Sequence, residues 1–286
     1  MTSKHLSGVG LGLRRDMLDE LLPDIPPSVD FWEVAPENWI PIGGKYQKNL
    51  NQFTSACNFV SHGLSLSIGS PEPIDVNFVK NVKTFLDKHQ ILYYSEHLSY
   101  CSGQGHLYDL MPIPFTQEAV KHVVERVKQV QDIIERPLLL ENVSYYAAPG
   151  QEMSEQEFTL SVLNESGCLM LLDVNNIYVN SINHGYDAQA FLAAMPTGKI
   201  VYGHIAGHYD EADDLKIDTH GADIIEPVWQ LLRTAYEIHG VFPTLLERDF
   251  NIPPINELLL EMEKIRTIQL QVPQQVNTQQ PKQFRA

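Results

Sequence analysis

Leu138-Leu139-Leu140-Glu141-Asn142-Val143 and Leu169-Met170-Leu171-Leu172-Asp173-Val174 follow one plan, a short unbroken apolar run that ends in a carboxylate. A strand with one face in water alternates, whereas an apolar run of this length without alternation belongs to a strand covered on both faces. Six more short apolar runs surround the pair, at Val9–Leu13, Phe31–Ala35, Asn58–His62, Ile91–His97, Ile200–Ile205 and Thr244–Arg248. Between most of them lie amphipathic segments: Tyr46–Cys57, Asp75–His89, Thr116–Glu135, Ser154–Ser166, Asp187–Ala194, Ala222–His239 and Pro254–Thr267. Val120, Val123, Val124, Val127 and Val130 form a stripe at helical spacing that must face a sheet. Thr116 and Ser154 have the character of N-caps, and Ser154-Glu155-Gln156-Glu157 reads as a capping box. Eight strands alternating with helices predict an α/β protein, a closed (β/α)8 TIM barrel. The alternative is an open doubly wound sheet, but no GxGxxG fingerprint follows the first strand, and Gly8-Val9-Gly10-Leu11-Gly12 falls inside it.

A chain of 286 residues suits one such barrel, expected over 1–267, with a Gln- and Pro-rich tail over 268–286 expected to be disordered. The three cysteines, Cys57, Cys101 and Cys168, are an odd number at wide spacing with no CxxC pair. They read as reduced thiols rather than disulfides or a thiolate zinc site, with Cys57 and Cys168 as packing residues. The N-terminus lacks a signal-peptide apolar region, and no run of membrane-spanning length occurs. The expectation is a cytoplasmic protein without a membrane partner. A formal charge of −16, with no basic run beyond Arg14-Arg15, excludes a phosphate-gripping surface and hence nucleic acid.

Polar residues fall at the C-terminal ends of the expected strands, where barrel active sites are built. His62 closes Phe59-Val60-Ser61-His62, His97 closes Tyr93-Tyr94-Ser95-Glu96-His97, and His204 closes Val201-Tyr202-Gly203-His204. Glu141, Asp173 and Glu247 follow apolar runs, and Asp218 and His220 stand in the loop after His204. Each alone has an ordinary structural explanation, since a strand-end carboxylate can cap the next helix. Six strands delivering imidazoles and carboxylates to one rim is a different matter, because such crowding is unfavourable unless cations neutralise it. Imidazole and carboxylate without thiolate suit iron, manganese or zinc, and several carboxylates able to bridge favour more than one ion. His184, in Asn183-His184-Gly185, is a further candidate from a loop downstream of Asp173. His208 reads as part of a surface loop. Glu33 and Glu37 are expected to buttress the barrel, and Glu96 to point away from His97 by strand alternation. His5, His89, His106, His122 and His239 read as solvated.

The order His62, His97, Glu141, Asp173, His204, Asp218-Thr219-His220, Glu247 resembles that of trinuclear zinc endonucleases that cut DNA at abasic sites, except that Asn176 stands where their pattern has a histidine. A closer resemblance rests on Gly8-Val9-Gly10-Leu11-Gly12-Leu13-Arg14, Phe31-Trp32-Glu33-Val34-Ala35-Pro36-Glu37-Asn38-Trp39, Ser95-Glu96-His97-Leu98-Ser99, Leu140-Glu141-Asn142-Val143 and Asp173-Val174-Asn175-Asn176-Ile177-Tyr178-Val179-Asn180. These motifs are similar to those of the multinuclear non-haem iron-dependent oxidases, the family that includes the methanobactin-biosynthesis oxidase, within the xylose-isomerase-like barrels. The similarity spans about residues 7 to 265. It implies two or three irons, mixed-valent Fe(II)/Fe(III), with O2 as co-substrate. It implies a cysteine-containing, ribosomally made precursor peptide as substrate and a small partner protein that binds the leader. Asn176 and His184 then join His62, His97, Glu141, Asp173, His204, Asp218, His220 and Glu247 as implied ligands, with Asp173, Glu141 and His204 closest to the chemistry. The alternative is a divalent-metal (zinc or manganese) hydrolase or isomerase acting on a phosphate or sugar.

Overall fold

A computed structural model describes residues 6–103 and 105–273. The eight apolar runs become eight short strands: β1 Val9–Gly12, β2 Phe31–Val34, β3 Phe59–His62, β4 Tyr94–His97, β5 Leu138–Glu141, β6 Leu169–Asp173, β7 Ile200–Ile205 and β8 Thr244–Leu246. They pair in parallel in sequence order, and β8 returns to β1, with Val9 opposite Thr244 and Leu11 opposite Leu246, so the barrel is closed.

The barrel has two apolar compartments. Its interior is filled by Phe31, Val60, Leu139, Leu171, Tyr202 and Leu245, with Leu6 closing the N-terminal end. Gly10 makes room for this layer, since a Cβ there would stand 2.4 Å from the Phe31 ring. The outer compartment lies between strands and helices. Helix Gln117–Ile134 buries its valine stripe there, capped by Thr116, whose hydroxyl accepts from the Ala119 amide. Helix Glu155–Ser166 begins with the expected reciprocal capping box between Ser154 and Glu157.

Several elements were not expected. Helix Val174–His184 starts directly after β6, with Asp173 as its N-cap. Two antiparallel hairpins, Tyr100–Gly103 with Gly105–Met111 and Tyr209–Ala212 with Leu215–Ile217, rise from the C-terminal side of the barrel. The last helix runs over Ile255–Gln271, four residues past the expected barrel boundary at 267, because Ile268 continues its buried stripe. Val272 is buried as well. The rest of the expected tail, from 274 onward, lies outside the described residues. Among the described residues no helix is long and apolar enough to cross a membrane.

Three histidines read as solvated are structural instead. His89 is buried against the Thr54 hydroxyl at 2.9 Å, and burial lowers its pKa to about 4. His239 spans the Thr197 hydroxyl and the Leu192 carbonyl. His122 is half-buried, 2.8 Å from the Ser70 carbonyl. All three lie on helices, where an imidazole can reach an unpaired polar group of the neighbouring segment. His5 and the side chain of His106 lie outside the described residues. Cys101 and Cys168 are buried and Cys57 is half-buried; all three are free thiols, and burial pushes Cys168 up to about 11.

Candidate metal centre

Parallel register carries the donors to one level. His97 lies opposite Glu141 across β4 and β5, and Asp173 lies opposite His204 across β6 and β7. Among the described residues three groups of donors result, each with its atoms within 4.8 Å of one another: His62, His97 and Glu141; Glu141, Asp173, His204 and Glu247; and His220, Glu247 and Asp249.

Glu141 joins the first two groups. Its Oε2 stands 3.3 Å from His62 Nε2 and 3.4 Å from His97 Nε2, while its Oε1 stands 3.3 Å from His204 Nδ1. A carboxylate with one oxygen in each group can bridge two cations and offset the charge of both. Glu247 joins the second and third groups, 2.8 Å from His204 Nδ1 and 3.4 Å from His220 Nδ1. Asp218 approaches His220 from the other side, its Oδ1 2.7 Å from Nε2. Ser144 and the Asn175 amide donate to the Asp218 carboxylate at 3.0 and 2.8 Å and hold it in place.

The donor atoms fit cations. Asp173 Oδ2, Asn176 Oδ1, His204 Nδ1 and Glu247 Oε2 are buried with no hydrogen-bond partner among the described residues. His204 Nδ1 and Glu247 Oε2 approach closely, yet without the alignment of a hydrogen bond. Asn176 is turned so that its Nδ2 donates to the Asn142 carbonyl at 3.1 Å, which leaves its oxygen for the site. Buried polar atoms left unpaired in this number are costly, and a bound cation satisfies them together.

Titration tells the same story. Burial, then the nearby Glu141 charge, holds the Asp173 carboxyl well above the usual carboxylate range. Burial also disfavours charge on Glu247, but His204 and His220 outweigh it and hold that carboxyl well below its ordinary value. His204 and His220 are raised well above the usual imidazole range, because their carboxylate neighbours overcome burial. His62 goes the other way, lowered by burial and by His97 and His204, so its Nε2 offers a lone pair. The carboxylate-rich groups hold protons where a cation would bind.

His184 does not join the three groups. It ends the helix that begins at Val174, about 16 Å along the axis at 1.5 Å per residue. There it stacks on the Tyr145 ring at 3.9 Å, with Nε2 2.8 Å from the Tyr145 carbonyl. His208 is no surface residue: it is buried, with Nδ1 2.8 Å from Asn175 Oδ1, and so stands behind the Asp218 side of the site. Glu33 lies beneath the centre, its Oε2 3.1 Å from His204 Nε2. Glu37 accepts from the Leu64 and Ser65 amides and fixes the loop after β3. Glu96 points outward from the barrel, as alternation requires, bonded to Tyr94 and to the Leu66 amide. A Cβ at Gly63 would stand 1.9 Å from Glu96, so that buried carboxyl requires the glycine. Asp249 was missed. It pairs with Arg14 and stands 3.1 Å from His220 Nδ1. Its signal was Glu247-Arg248-Asp249, where alternate residues share a side.

Above the donors opens a cavity of about 390 Å³. His62, His97, Glu141, Asn176, Asp218, His220 and Glu247 form its floor, and Arg14, Arg15, Trp39, Leu64, Leu110 and Phe250 line its mouth. Residues 8–270 match the family described as RiPP precursor modification enzyme MbnB/TglH/ChrH, RiPP denoting a ribosomally synthesised and post-translationally modified peptide. The chain belongs to this family. MbnB/TglH/ChrH membership bears out the resemblance drawn from the sequence motifs and makes the chain an enzyme acting on a RiPP precursor. Relatives of this MbnB/TglH/ChrH member are described only as UPF0276 proteins. That of Shewanella sediminis is 67% identical over 265 residues, covering 93% of this chain and 95% of the relative. That of Pseudomonas aeruginosa strain PAO1 is 52% identical over 269 residues, covering 94% and 95%. Among solved structures, the zinc-binding IOLI protein superposes with a TM-score of 0.60 at 14% identity, covering 92% of this chain and 97% of that one. The 3-keto-D-glucoside 4-epimerase YcjR of E. coli gives 0.59 at 12% identity, covering 91% and 98%. At such identity these likenesses show the barrel alone.

Proposed function

We propose that the chain is an iron-dependent, O2-consuming oxidase that modifies cysteine residues of a ribosomally made precursor peptide. The observation that carries this reading is the pair of adjoining donor groups sharing Glu141 at the floor of an open cavity, in a chain whose family modifies such precursors. His62, His97 and Glu141 would hold one ion; Glu141, Asp173, His204 and Glu247, with Asn176 Oδ1 beside them, would hold the next. Two or three irons in mixed valence suit this donor set, which contains no thiolate. The bound centre would supply thiolate binding, dioxygen activation and the oxidising power.

The chain's own residues do the rest. Glu141 spans the two groups and keeps them adjacent. The Asp173, Glu141 and His204 donors are buried, so a thiol that reaches them leaves water behind. A substrate side chain would enter past Trp39, Leu64, Leu110 and Phe250, with Arg14 and Arg15 beside them to meet polar groups of the peptide backbone. A small partner protein presenting the leader, and a cytoplasmic setting, belong to the same proposal.

The test is metal analysis of protein purified without oxygen or chelators, with Mössbauer spectroscopy, followed by oxygen uptake with cysteine-containing precursor peptides encoded beside the gene. More than one iron per chain and peptide-dependent uptake support the oxidase. Stoichiometric zinc or manganese after iron-replete growth, with no uptake, would overturn it in favour of a hydrolase or isomerase.

A further inference from the structure

Beneath the donors runs a line of buried polar contacts that none of the roles above explains. His62 turns Nε2 toward Glu141 and His97, and its other nitrogen, Nδ1, lies 2.8 Å from the Ser95 hydroxyl. Ser95 Oγ lies 2.8 Å from the Tyr202 hydroxyl. The Tyr202 hydroxyl donates to Glu33 Oε2 at 2.8 Å. The same Glu33 oxygen lies 3.1 Å from His204 Nε2, whose Nδ1 faces Glu141, Glu247 and Asp173. Ser95, Tyr202 and His204 are fully buried and Glu33 is 7% exposed, so water does not compete for these bonds. The five residues come from β2, β3, β4 and β7, on two sides of the barrel.

The direction of donation follows from the chemistry of the ends. A carboxylate oxygen only accepts, so Tyr202 O–H and His204 Nε2–H both point at Glu33. With its proton committed, the Tyr202 oxygen accepts from Ser95 at 2.8 Å, a shorter contact than the 3.3 Å from Ser95 Oγ to the Ser61 carbonyl, and the Ser95 oxygen accepts from His62 Nδ1–H. Every proton in the line is thereby oriented toward one carboxylate. A histidine whose one nitrogen donates offers a lone pair at the other, and that second nitrogen is the one each ring turns to the donor groups.

We propose that Glu33 is the common acceptor that sets the ligating face of two histidines at once, His204 directly and His62 through Tyr202 and Ser95. Glu33, Tyr202 and Ser95 are positioning residues: they touch the ligands and not the substrate. The inference rests on reading the clusters as a metal centre, and is independent of which metal is native and of what reaction it serves. It makes the two halves of the centre unequal in their dependence. Removing the Tyr202 hydroxyl cuts His62 from Glu33 and leaves His204 attached, whereas neutralising Glu33 weakens the acceptor that both share.

The test uses the full chain and zinc as the probe. In metal-free protein carrying 15N-labelled histidine at mildly alkaline pH, wild-type His62 is expected as the Nδ1–H tautomer. In Tyr202→Phe that tautomer gives way in part to Nε2–H. Zinc is then titrated against a chromophoric chelator. Loss of such supporting bonds typically weakens metal binding about 10- to 100-fold. Tyr202→Phe is expected to weaken one class of zinc site by that factor and to spare another, and Glu33→Gln to weaken both. Ser95→Ala should match Tyr202→Phe. A wild-type His62 in the Nε2–H form, or zinc affinities unchanged in both Tyr202→Phe and Glu33→Gln, overturns the proposal. If Glu33→Gln fails to fold, Tyr202→Phe, which deletes one oxygen, still decides it. Because tautomers and zinc are read without turnover, an enzyme that proves not to be an oxidase leaves this test intact.

Discussion

Asp173 carries two duties that a substitution can separate. Its Oδ1 accepts from the Asn176 amide at 2.6 Å and caps helix Val174–His184, while Oδ2 faces the donors without a partner. Asn caps a helix about as well as Asp. Asp173→Asn is therefore expected to fold with a metal-free melting temperature at or above that of the wild type, since an unfavourable buried carboxyl is gone. It should lose metal from the Glu141, Asp173, His204 and Glu247 group. Asp173→Ala loses the cap as well, at about 1 kcal/mol. Metal analysis and thermal melts of the two variants check this, and an Asp173→Asn protein with full metal would remove Asp173 from the site. Asp249 offers a second separation. Asp249→Ala should deplete only the His220 group, while zinc at His62, His97 and Glu141 keeps its wild-type affinity; a uniform loss would mean that Asp249 acts through Arg14 and the loop, not as a donor.

Among the elements, helix Glu155–Ser166 holds the clearest titration outside the metal centre. Burial raises the Glu155 carboxyl from 4.5 to about 7, against the opposing pull of the nearby Tyr145 and Tyr186 hydroxyls and of the Asn180 amide, which donates to it at 3.2 Å. The folded chain thus keeps a proton that the unfolded chain has released, and stability falls as pH rises from about 4.5 through 7. A shift of this size is worth about 3 kcal/mol at most. Glu155→Gln should gain on the wild type across that window and hold the gain above it. Urea unfolding of metal-free protein at pH values below and above the window reads this, and parallel curves for the two proteins would refute it. The elements also show what the sequence made legible. Strands such as Leu138–Glu141 and Leu169–Asp173 were visible because burial on both faces leaves continuous apolar runs, and the helices between strands because a one-sided stripe has a period. The hairpin Tyr209–Ala212 with Leu215–Ile217 was invisible, since Tyr209-Asp210-Glu211-Ala212 is exposed throughout and carries no burial pattern. The helix after β6 was hidden by the polar run Asn175-Asn176. Asn175 and Asn176 are both buried, bonded to Asp218, His208 and Asn142, and composition alone does not distinguish satisfied asparagines from solvated ones. The rim donors were legible one strand at a time. The supporting line through Ser95, Tyr202 and Glu33 was not, because it joins strands that only barrel closure brings together.

At the scale of the molecule, the charge of −16 and the fold pull against each other. Closure of the barrel gathers Glu33, Glu141, Asp173 and Glu247 around a few histidines, where burial denies them solvent. The protonated states favoured at His204, His220 and Asp173 are a partial remedy. Bound cations are a fuller one, since they replace those protons and satisfy the unpaired oxygens. The barrel's apolar compartments contain no donor residues, so the fold itself does not depend on metal. Chelation is therefore expected to leave the far-ultraviolet circular dichroism unchanged and to lower the melting temperature. Restoring one divalent ion to a hundredfold excess over its dissociation constant adds about 2.7 kcal/mol, and for a chain of this size that is roughly 5 to 10 °C. The recovery should grow as pH rises through the usual histidine range and beyond it, because the cation competes with protons that His204 and His220 hold to higher pH than free imidazole. Differential scanning calorimetry with and without zinc at two pH values would measure it. A melting temperature indifferent to chelation would mean that the clustered carboxylates hold no ion, and a recovery that shrinks with rising pH would place the ion elsewhere than on these imidazoles.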